Sequence, residues 1–262
     1  MTKHRYIAVA AHTNVNTPMS RRRLDIDVCY HNYMAIRAEF GVEEWYHCYT
    51  RGVDGRKTFE TKSDYERFLH LLYIVNSTKK RHRSDMTSQS MEEIMSMPRP
   101  DTLVEIGAYC LMPNHFHLLL QEKNPGSISA FMQKLGTAYT MYFNIRHHRT
   151  GSLFIKPFRS RHVADNLYFQ RVLQYIHHNP AELYEQKWKE GVVEDIQKLF
   201  GELMEYPYSS FSAYQGKDTL TKPILSTLGF EIVSPSDPKE MLQEAAAYYQ
   251  ELTMSRRRLA NG

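Results

Sequence analysis

The sequence is poor in cysteine and has no long hydrophobic run. Its 262 residues include three cysteines, Cys29, Cys48 and Cys110, and no two of them form a CxxC pair. This odd, widely spaced set excludes a disulfide framework and a zinc knuckle, and we expect a reducing, cytoplasmic setting. The apolar residues 7–11 are too few for the core of a signal peptide, and no run reaches membrane-spanning length. The 42% of hydrophobic residues still suffice for a substantial core.

Acidic residues are missing from one long stretch. The net charge of +4 is only mildly basic, yet no Asp or Glu occurs between Glu122 and Asp165. A local field of one sign is typical of a polyanion site, and interleaved aromatic residues can stack on unpaired bases. The alternative is a solvated basic face over core aromatics. The predicted DNA contacts are Arg51, which lies outside this stretch, and Arg146, Arg149, Lys156, Arg159 and Arg161.

A His-x-His pair, His115 and His117, lies in a short apolar segment with strand composition. Alternate side chains of a strand point the same way, so the two imidazoles share one face while Phe116 and Leu118 occupy the other. Two imidazoles at this spacing can chelate one divalent metal ion. For the pair taken alone, buried and hydrogen-bonded core histidines are the competing interpretation.

The order of elements predicts the fold class. Strand composition at 45–50 is followed by a helix with apolar positions at helical spacing, a hairpin over 103–121, a helix from residue 127, a short extended segment and a helix over 165–180. This is the order of an α+β, ferredoxin-like split βαβ core, with an antiparallel sheet covered by helices on one side. We predict an N-terminal extension (1–44), a core (45–180) with an insertion (77–100), and a helical C-terminal appendage (181–262).

A nucleophile and a third metal ligand can come from the helix over 165–180. Tyr175 and Asn179 stand one helical turn apart, so if this helix packs on the histidine strand, a phenol and an amide oxygen reach the same place. That geometry describes a tyrosine nucleophile assisted by Mg²⁺ or Mn²⁺. Helix tyrosines usually serve packing, and Tyr168, Tyr139 and Tyr142 are competing candidates near the basic region.

Four motifs in the same order resemble those of the single-tyrosine HUH transposases, specifically the REP-associated tyrosine transposase branch. They lie at 46–52 (YHCYTRG), 111–117 (LMPNHFH), 175–180 (YIHHNP) and 206–211 (YPYSSF). The resemblance spans about residues 45–216. It implies a ferredoxin-like HUH endonuclease that cuts and rejoins single-stranded DNA next to a hairpin through a 5′-phosphotyrosine.

The resemblance also implies roles for individual residues. His115 and His117 would be ligands of Mg²⁺ or Mn²⁺, Tyr175 the nucleophile, and Asn179 the third ligand, where insertion-sequence relatives carry a glutamine. The implied partner is hairpin-containing single-stranded DNA, and the implied protein is a cytoplasmic, nucleoid-associated bacterial monomer, with a dimer as the alternative. A non-catalytic binding module on the same fold is the competing function, and a relaxase or replication initiator is disfavoured by the length.

Overall fold

The computed structural model describes residues 39–79, 90–99, 101–233 and 237–260. Most of the predicted extension, and residues 80–89 and 100 of the predicted insertion, lie outside these ranges. The strands are β1 (Trp45–Arg51), β2 (Val104–Met112), β3 (His115–Glu122) and β4 (Arg159–Val163). The helices are α1 (Lys62–Ile74), α2 (Met91–Ser96), α3 (Ser127–Arg146), α4 (Asn166–His178), α5 (Ala181–Tyr184), α6 (Ile196–Glu205), α7 (Phe211–Tyr214), α8 (Thr227–Ile232) and α9 (Pro238–Ala260).

The sheet has the strand order β2-β3-β1-β4. β3 is antiparallel to both of its neighbours, and β4 is antiparallel to β1. With α1 between β1 and β2, and α3 between β3 and β4, the chain follows the split βαβ order. The predicted ferredoxin-like fold class is therefore confirmed. The predicted hairpin is also present, because β2 and β3 are joined by the two residues Pro113 and Asn114.

The main hydrophobic core lies between one face of the sheet and helices α1 and α3. Phe116 and Leu118 of β3 point into it, as the strand alternation predicted, and contact the helix layer. The ring of Phe68 on α1 lies 4.8 Å from that of Phe116. Leu118 and Phe131 of α3 are fully buried in the same cluster. Burial of each such side chain contributes roughly 1.5–3 kcal/mol, so this face fixes the sheet against the two helices.

The opposite face of the sheet is also covered by a helix, so the expectation of helices on one side alone is wrong. Helix α4 packs there, and its Phe169, Val172 and Ile176 are buried against Trp45 and Leu119 of the sheet. The rings of Trp45 and Phe169 lie 5.0 Å apart, edge to face. The cause is the apolar surface that Trp45 and Leu119 would otherwise expose. This packing brings the C-terminal end of α4 over the face that carries the two histidines.

The free edge of β2 is closed by the segment after α6. The hydroxyl of Tyr206 donates to the carbonyl of Leu111 (2.6 Å), and the backbone N–H of Leu111 donates to the carbonyl of Tyr208 (2.9 Å). The N–H of Ser210 donates to the carbonyl of Tyr109 (3.0 Å). A covered edge cannot pair with a foreign strand. Within the described ranges, no helix has the length and hydrophobicity needed to cross a membrane.

Asp64 links the start of α1 to the end of α3. Its buried carboxylate accepts hydrogen bonds from the N–H groups of Thr61 (2.8 Å) and Glu60 (3.0 Å), from the hydroxyl of Tyr142 (3.2 Å) and from the ring of His147 (3.1 Å). Burial by itself would raise the pKa of this carboxyl group. The hydrogen bonds from His147 and from the two backbone groups outweigh burial, and the pKa lies below its usual value.

Candidate active site

The polar residues of β1 and β3 share the face of the sheet that α4 covers. Tyr49 of β1 pairs with His117 of β3, and Arg51 pairs with His115. Because directly paired residues of antiparallel strands point to the same side, these four side chains and His47 lie on one face. The rings of His115 and His117 are 5.0 Å apart and perpendicular. The predicted co-facial arrangement of the two histidines is therefore present.

Asn114 fixes the tautomer of His115. The side-chain Nδ2 of Asn114 donates to the carbonyl of Gly55 (3.4 Å), which leaves its Oδ1 to face Nδ1 of His115 at 2.7 Å. An amide oxygen only accepts, so Nδ1 of His115 carries the proton. Burial lowers the pKa of His115 to about 4, and the ring is therefore neutral near pH 7. Its Nε2 consequently presents a lone pair.

Asn179 directs an amide oxygen at that lone pair. Although a proline follows it, Asn179 keeps helical dihedral angles (φ −53°, ψ −41°) and so remains in register with Tyr175 one turn earlier. Its Nδ2 donates to the carbonyl of Tyr175 (3.1 Å). The Oδ1 of Asn179 then lies 3.5 Å from Nε2 of His115. With the proton of His115 on Nδ1, these two facing atoms are both acceptors.

Two facing acceptors fit a cation. Neither atom can donate to the other, and a positive ion between them satisfies both lone pairs. A carbonyl oxygen beside neutral imidazoles suits a hard or borderline ion such as Mg²⁺ or Mn²⁺. In the part of the chain that the structure describes, no group of three or more His, Cys, Asp or Glu side chains could hold a metal ion. A metal site on this face therefore depends on the amide of Asn179.

His117 is joined to a third imidazole. Its Nδ1 lies 2.8 Å from Nε2 of His47, and both side chains are buried. Burial, together with the nearby positive charge of Arg161, lowers the pKa of His47 to about 3. Burial and then the neighbouring imidazoles of His115 and His47 hold the pKa of His117 well below its usual range. Both rings are therefore neutral, and one donates while the other accepts.

Tyr175 lies among these imidazoles. Its half-buried ring meets those of His117 and His47 edge to face, at centroid distances of 5.5 and 5.7 Å. Two competing tyrosines are in the other layer: the hydroxyl of Tyr139 donates to the carbonyl of Thr58 in the main core, and that of Tyr142 donates to Asp64. Tyr168 shares α4 with Tyr175, and Arg161 lies over its ring at 5.6 Å. Of the candidate tyrosines, Tyr175 is the one that contacts the histidines.

The predicted DNA-binding residues divide into two groups. Arg159 and Arg161 of β4 pair with Tyr49 and His47, so both lie on the histidine face. Arg51 joins them there through its pairing with His115. These three guanidinium groups surround the site with positive charge.

The other predicted contacts lie outside this face. Arg146 ends α3, 3.7 Å from the carboxylate of Asp64, and Arg149 donates to Oδ1 of Asn144 at 2.7 Å. Lys156 is exposed in the loop before β4. The acid-free stretch is therefore continuous in sequence and divided in space.

Four residues near the site were not assigned in the sequence analysis: His47, Tyr49, Asn114 and Lys189. The first two follow the alternation that ends at Arg51, so strand periodicity could have identified them. Lys189 belongs to a 3₁₀ turn, Trp188–Glu190, and its positive charge adds to burial, the main cause, in lowering the pKa of His115 and His117. No local pattern predicts that this turn folds back towards the site.

Comparisons with known proteins match the middle of the chain. Residues 64–179 match the family model described as IS200-like transposase. The match includes both histidines of β3, Tyr175 and Asn179, whereas β1 precedes it. A solved structure of a REP-associated tyrosine transposase bound to a REP hairpin aligns with a TM-score of 0.44 and 15% identity, covering 72% of this chain and 90% of that one. No curated protein sequence matches.

Proposed function

We propose, from the match of residues 64–179 to the family model of IS200-like transposases, that the protein cleaves and rejoins single-stranded DNA next to hairpins through a covalent tyrosine intermediate that needs a divalent metal ion. The proposal assigns Tyr175 as the nucleophile and His115, His117 and Asn179 as the metal ligands. It also assigns the cytoplasm as the setting and a monomer as the working state.

One observation carries the proposal: the pair of facing acceptors, Nε2 of His115 and Oδ1 of Asn179, lies beside a tyrosine. Tyr175 stands one helical turn before Asn179 and contacts the ring of His117 at 5.5 Å. A pure binding module does not need a phenol next to two unprotonated ligand atoms. This arrangement is made by β3 and α4, which are distant along the chain, and the approach of these side chains in the fold supports a catalytic role.

The chemistry follows from the residues present. The Tyr175 hydroxyl attacks a backbone phosphorus, loses its proton, and forms a phosphotyrosine with the 5′ side of the break, while the leaving 3′ oxygen gains a proton. The covalent bond retains the energy of the broken linkage, so rejoining needs no nucleotide cofactor. A bound Mg²⁺ or Mn²⁺ would polarise the non-bridging phosphate oxygens. The neutral state of His115 and His117 keeps their nitrogens available as ligands near pH 7.

The DNA strand is proposed to lie along the histidine face. Arg51, Arg159 and Arg161 provide positive charge there, and exposed phosphates bind such groups. Hairpin specificity is inferred from the motif resemblance, which is with the REP-associated branch. Which hairpin is recognised depends on contacts of the loops.

Adduct formation tests the proposal. The full-length protein is incubated with Mn²⁺ or Mg²⁺ and labelled single-stranded oligonucleotides that carry hairpins from DNA flanking its gene. We expect a covalent protein–DNA band that requires the metal and disappears in Tyr175→Phe. Tyr168→Phe, on the same helix, is the matched control and should retain the band.

Three results would count against the proposal. A band that persists in Tyr175→Phe would mean that another residue is the nucleophile. A band of equal intensity in the presence of a chelator would remove the metal requirement. Tight hairpin binding without any adduct, with either metal, would favour the non-catalytic binding module.

A further inference from the structure

The imidazole of His47 has no assigned role, although it is among the most buried polar groups near the site. Its relative exposure is 3%, and that of His117 is 4%. Nε2 of His47 lies 2.8 Å from Nδ1 of His117, so a side-chain hydrogen bond joins β1 and β3 on this face. Burying an unpaired polar nitrogen is unfavourable, and the bond removes this cost for both rings at once.

The bond decides which nitrogen of His117 remains open. Because Nδ1 is engaged by His47, only Nε2 can serve as a ligand atom. His115 follows the same rule, since its Nδ1 is held by Asn114 at 2.7 Å. The two histidines of β3 therefore present the same ring atom, each oriented by a residue behind it. Ligand histidines in metalloproteins are commonly oriented in this way through their second nitrogen.

The direction of the bond is fixed by the same logic. If Nε2 of His117 ligates a metal ion, the ring carries its single proton on Nδ1 and donates it. His47 must then accept on Nε2 and carry its own proton on Nδ1. A neutral imidazole provides one acceptor nitrogen of this kind, whereas a lysine or arginine in its place provides none.

We propose that His47 is the positioning residue of the metal site: it accepts the hydrogen bond of His117 Nδ1–H and thereby fixes the tautomer and the ring plane of that ligand. The inference rests on the proposed function, because it presupposes a divalent ion on His115, His117 and Asn179. His47 also contacts the ring of Tyr175 at 5.7 Å. It therefore holds the ligand and borders the nucleophile from the same position.

Replacing His47 by glutamine or by asparagine tests the proposal, because the two side chains differ in length. The terminal amide of glutamine lies where Nε2 of a histidine lies, so His47→Gln retains an acceptor for His117. The amide of asparagine is one methylene shorter, so His47→Asn keeps polarity and loses the bond. Mn²⁺ affinity of the full chain is measured by electron paramagnetic resonance of the free ion. We expect His47→Asn to bind Mn²⁺ about 10- to 100-fold more weakly, and His47→Gln to remain within about threefold of the wild type.

A spectroscopic readout separates positioning from general loosening. In long-range ¹H–¹⁵N spectra of ¹⁵N-histidine-labelled protein with bound Mg²⁺, which is diamagnetic, we expect the Nδ1–H tautomer for His117 in the wild type and in His47→Gln, and a mixture of tautomers in His47→Asn. His70→Leu is the control. It removes an imidazole of α1, in the other layer, whose buried Nε2 has no hydrogen-bond partner. It should leave both readouts unchanged.

The outcomes distinguish the two levels of the argument. Equal Mn²⁺ affinity in His47→Asn, His47→Gln and the wild type, with binding lost in His117→Ala, overturns the role of His47 and leaves the proposed function standing. If His115→Ala and His117→Ala both bind Mn²⁺ as tightly as the wild type, or if the wild type binds no Mn²⁺, the proposed ligands are wrong and so is the role of His47.

Discussion

At the scale of single residues, the side chains of this site are defined by their hydrogen-bond partners as much as by their identity. Asn114 leaves one lone pair on His115, and the N–H group of Asn179 is occupied by the carbonyl of Tyr175. The residue types of the site were predicted from the sequence, namely two histidines on one face and a tyrosine one turn from an asparagine. Their tautomers and amide orientations were not, because those depend on neighbours such as Gly55 that the folded chain supplies.

A prediction at this scale concerns Asp64. The folded pKa of this carboxyl group lies below its value in the unfolded chain, so its stabilising contribution is complete above the unfolded pKa and is lost as the pH falls through the folded one. We expect Asp64→Asn to lower the free energy of unfolding by about 1–2 kcal/mol at pH 7, because hydrogen bonds to the charged acceptor of the capping box are weakened. The difference from the wild type should shrink in strong acid.

Urea denaturation at pH 7, 4 and 3 measures this difference. A double-mutant cycle with His147→Gln then isolates the contribution of the 3.1 Å contact between the two side chains. A difference that stays constant over the whole pH range would show that the charge of Asp64 is not what stabilises the link between α1 and α3.

At the scale of elements, strand alternation and helix spacing gave the secondary structure of the core. Phe169, Val172 and Ile176 recur at helical spacing and form an apolar stripe along α4, and all three are buried. The face against which α4 packs did not follow from that stripe, because an amphipathic helix can cover either side of a sheet. The apolar surface of Trp45 and Leu119 decides which face α4 covers. That these two side chains lie on the same face becomes evident only when the strand register is known.

Gly191 provides a test of packing between elements. It has a positive φ of 75°, and a Cβ added there would overlap the carbonyl oxygen of Ala246 and the amide nitrogen of Gln250 in α9. We expect Gly191→Ala to lower the midpoint of thermal unfolding, because backbone strain of about 1 kcal/mol adds to a backbone collision that cannot relax by a rotamer change.

Gly216→Ala is the matched control, since Gly216 also has a positive φ, 78°, and nothing lies within 4 Å of its added Cβ. Its midpoint should fall by the strain alone. Equal shifts of the two midpoints would indicate that α9 does not press against Gly191 in solution.

At the scale of the whole molecule, the basic residues are separated by the sheet. One group, with Arg159 and Arg161, borders the histidines, and the other, with Arg146 and Arg149, lies at the end of α3. The sequence predicted one basic region because charge is counted along the chain. Only the fold decides which of these charges share a face of the sheet.

Salt dependence of DNA binding distinguishes the two groups. Each phosphate contact to a single strand contributes about 0.7 to the slope of log K against log salt. We expect Arg159→Gln/Arg161→Gln to reduce the magnitude of this slope by about 1.4. Arg146→Gln/Arg149→Gln should change it less, because these guanidinium groups contact Asp64 and Asn144. Fluorescence anisotropy of a labelled oligonucleotide, recorded over roughly 50–300 mM salt, measures the slope for both double variants. A larger decrease in the slope for Arg146→Gln/Arg149→Gln would indicate that DNA binds on the side of α1 and α3 instead.

The hydrogen bond between His47 and His117 joins residues that are 70 positions apart, and Asn179 approaches His115 across 64 more. Contacts of such long range form late, after the loops between them have closed. During synthesis, β1 and β3 leave the ribosome well before α4, which carries Tyr175 and precedes Asn179. A chain truncated by premature termination or proteolysis before residue 175 would carry the two histidines of β3 without Tyr175 and Asn179. Under the proposed function, such a fragment forms no covalent adduct with DNA.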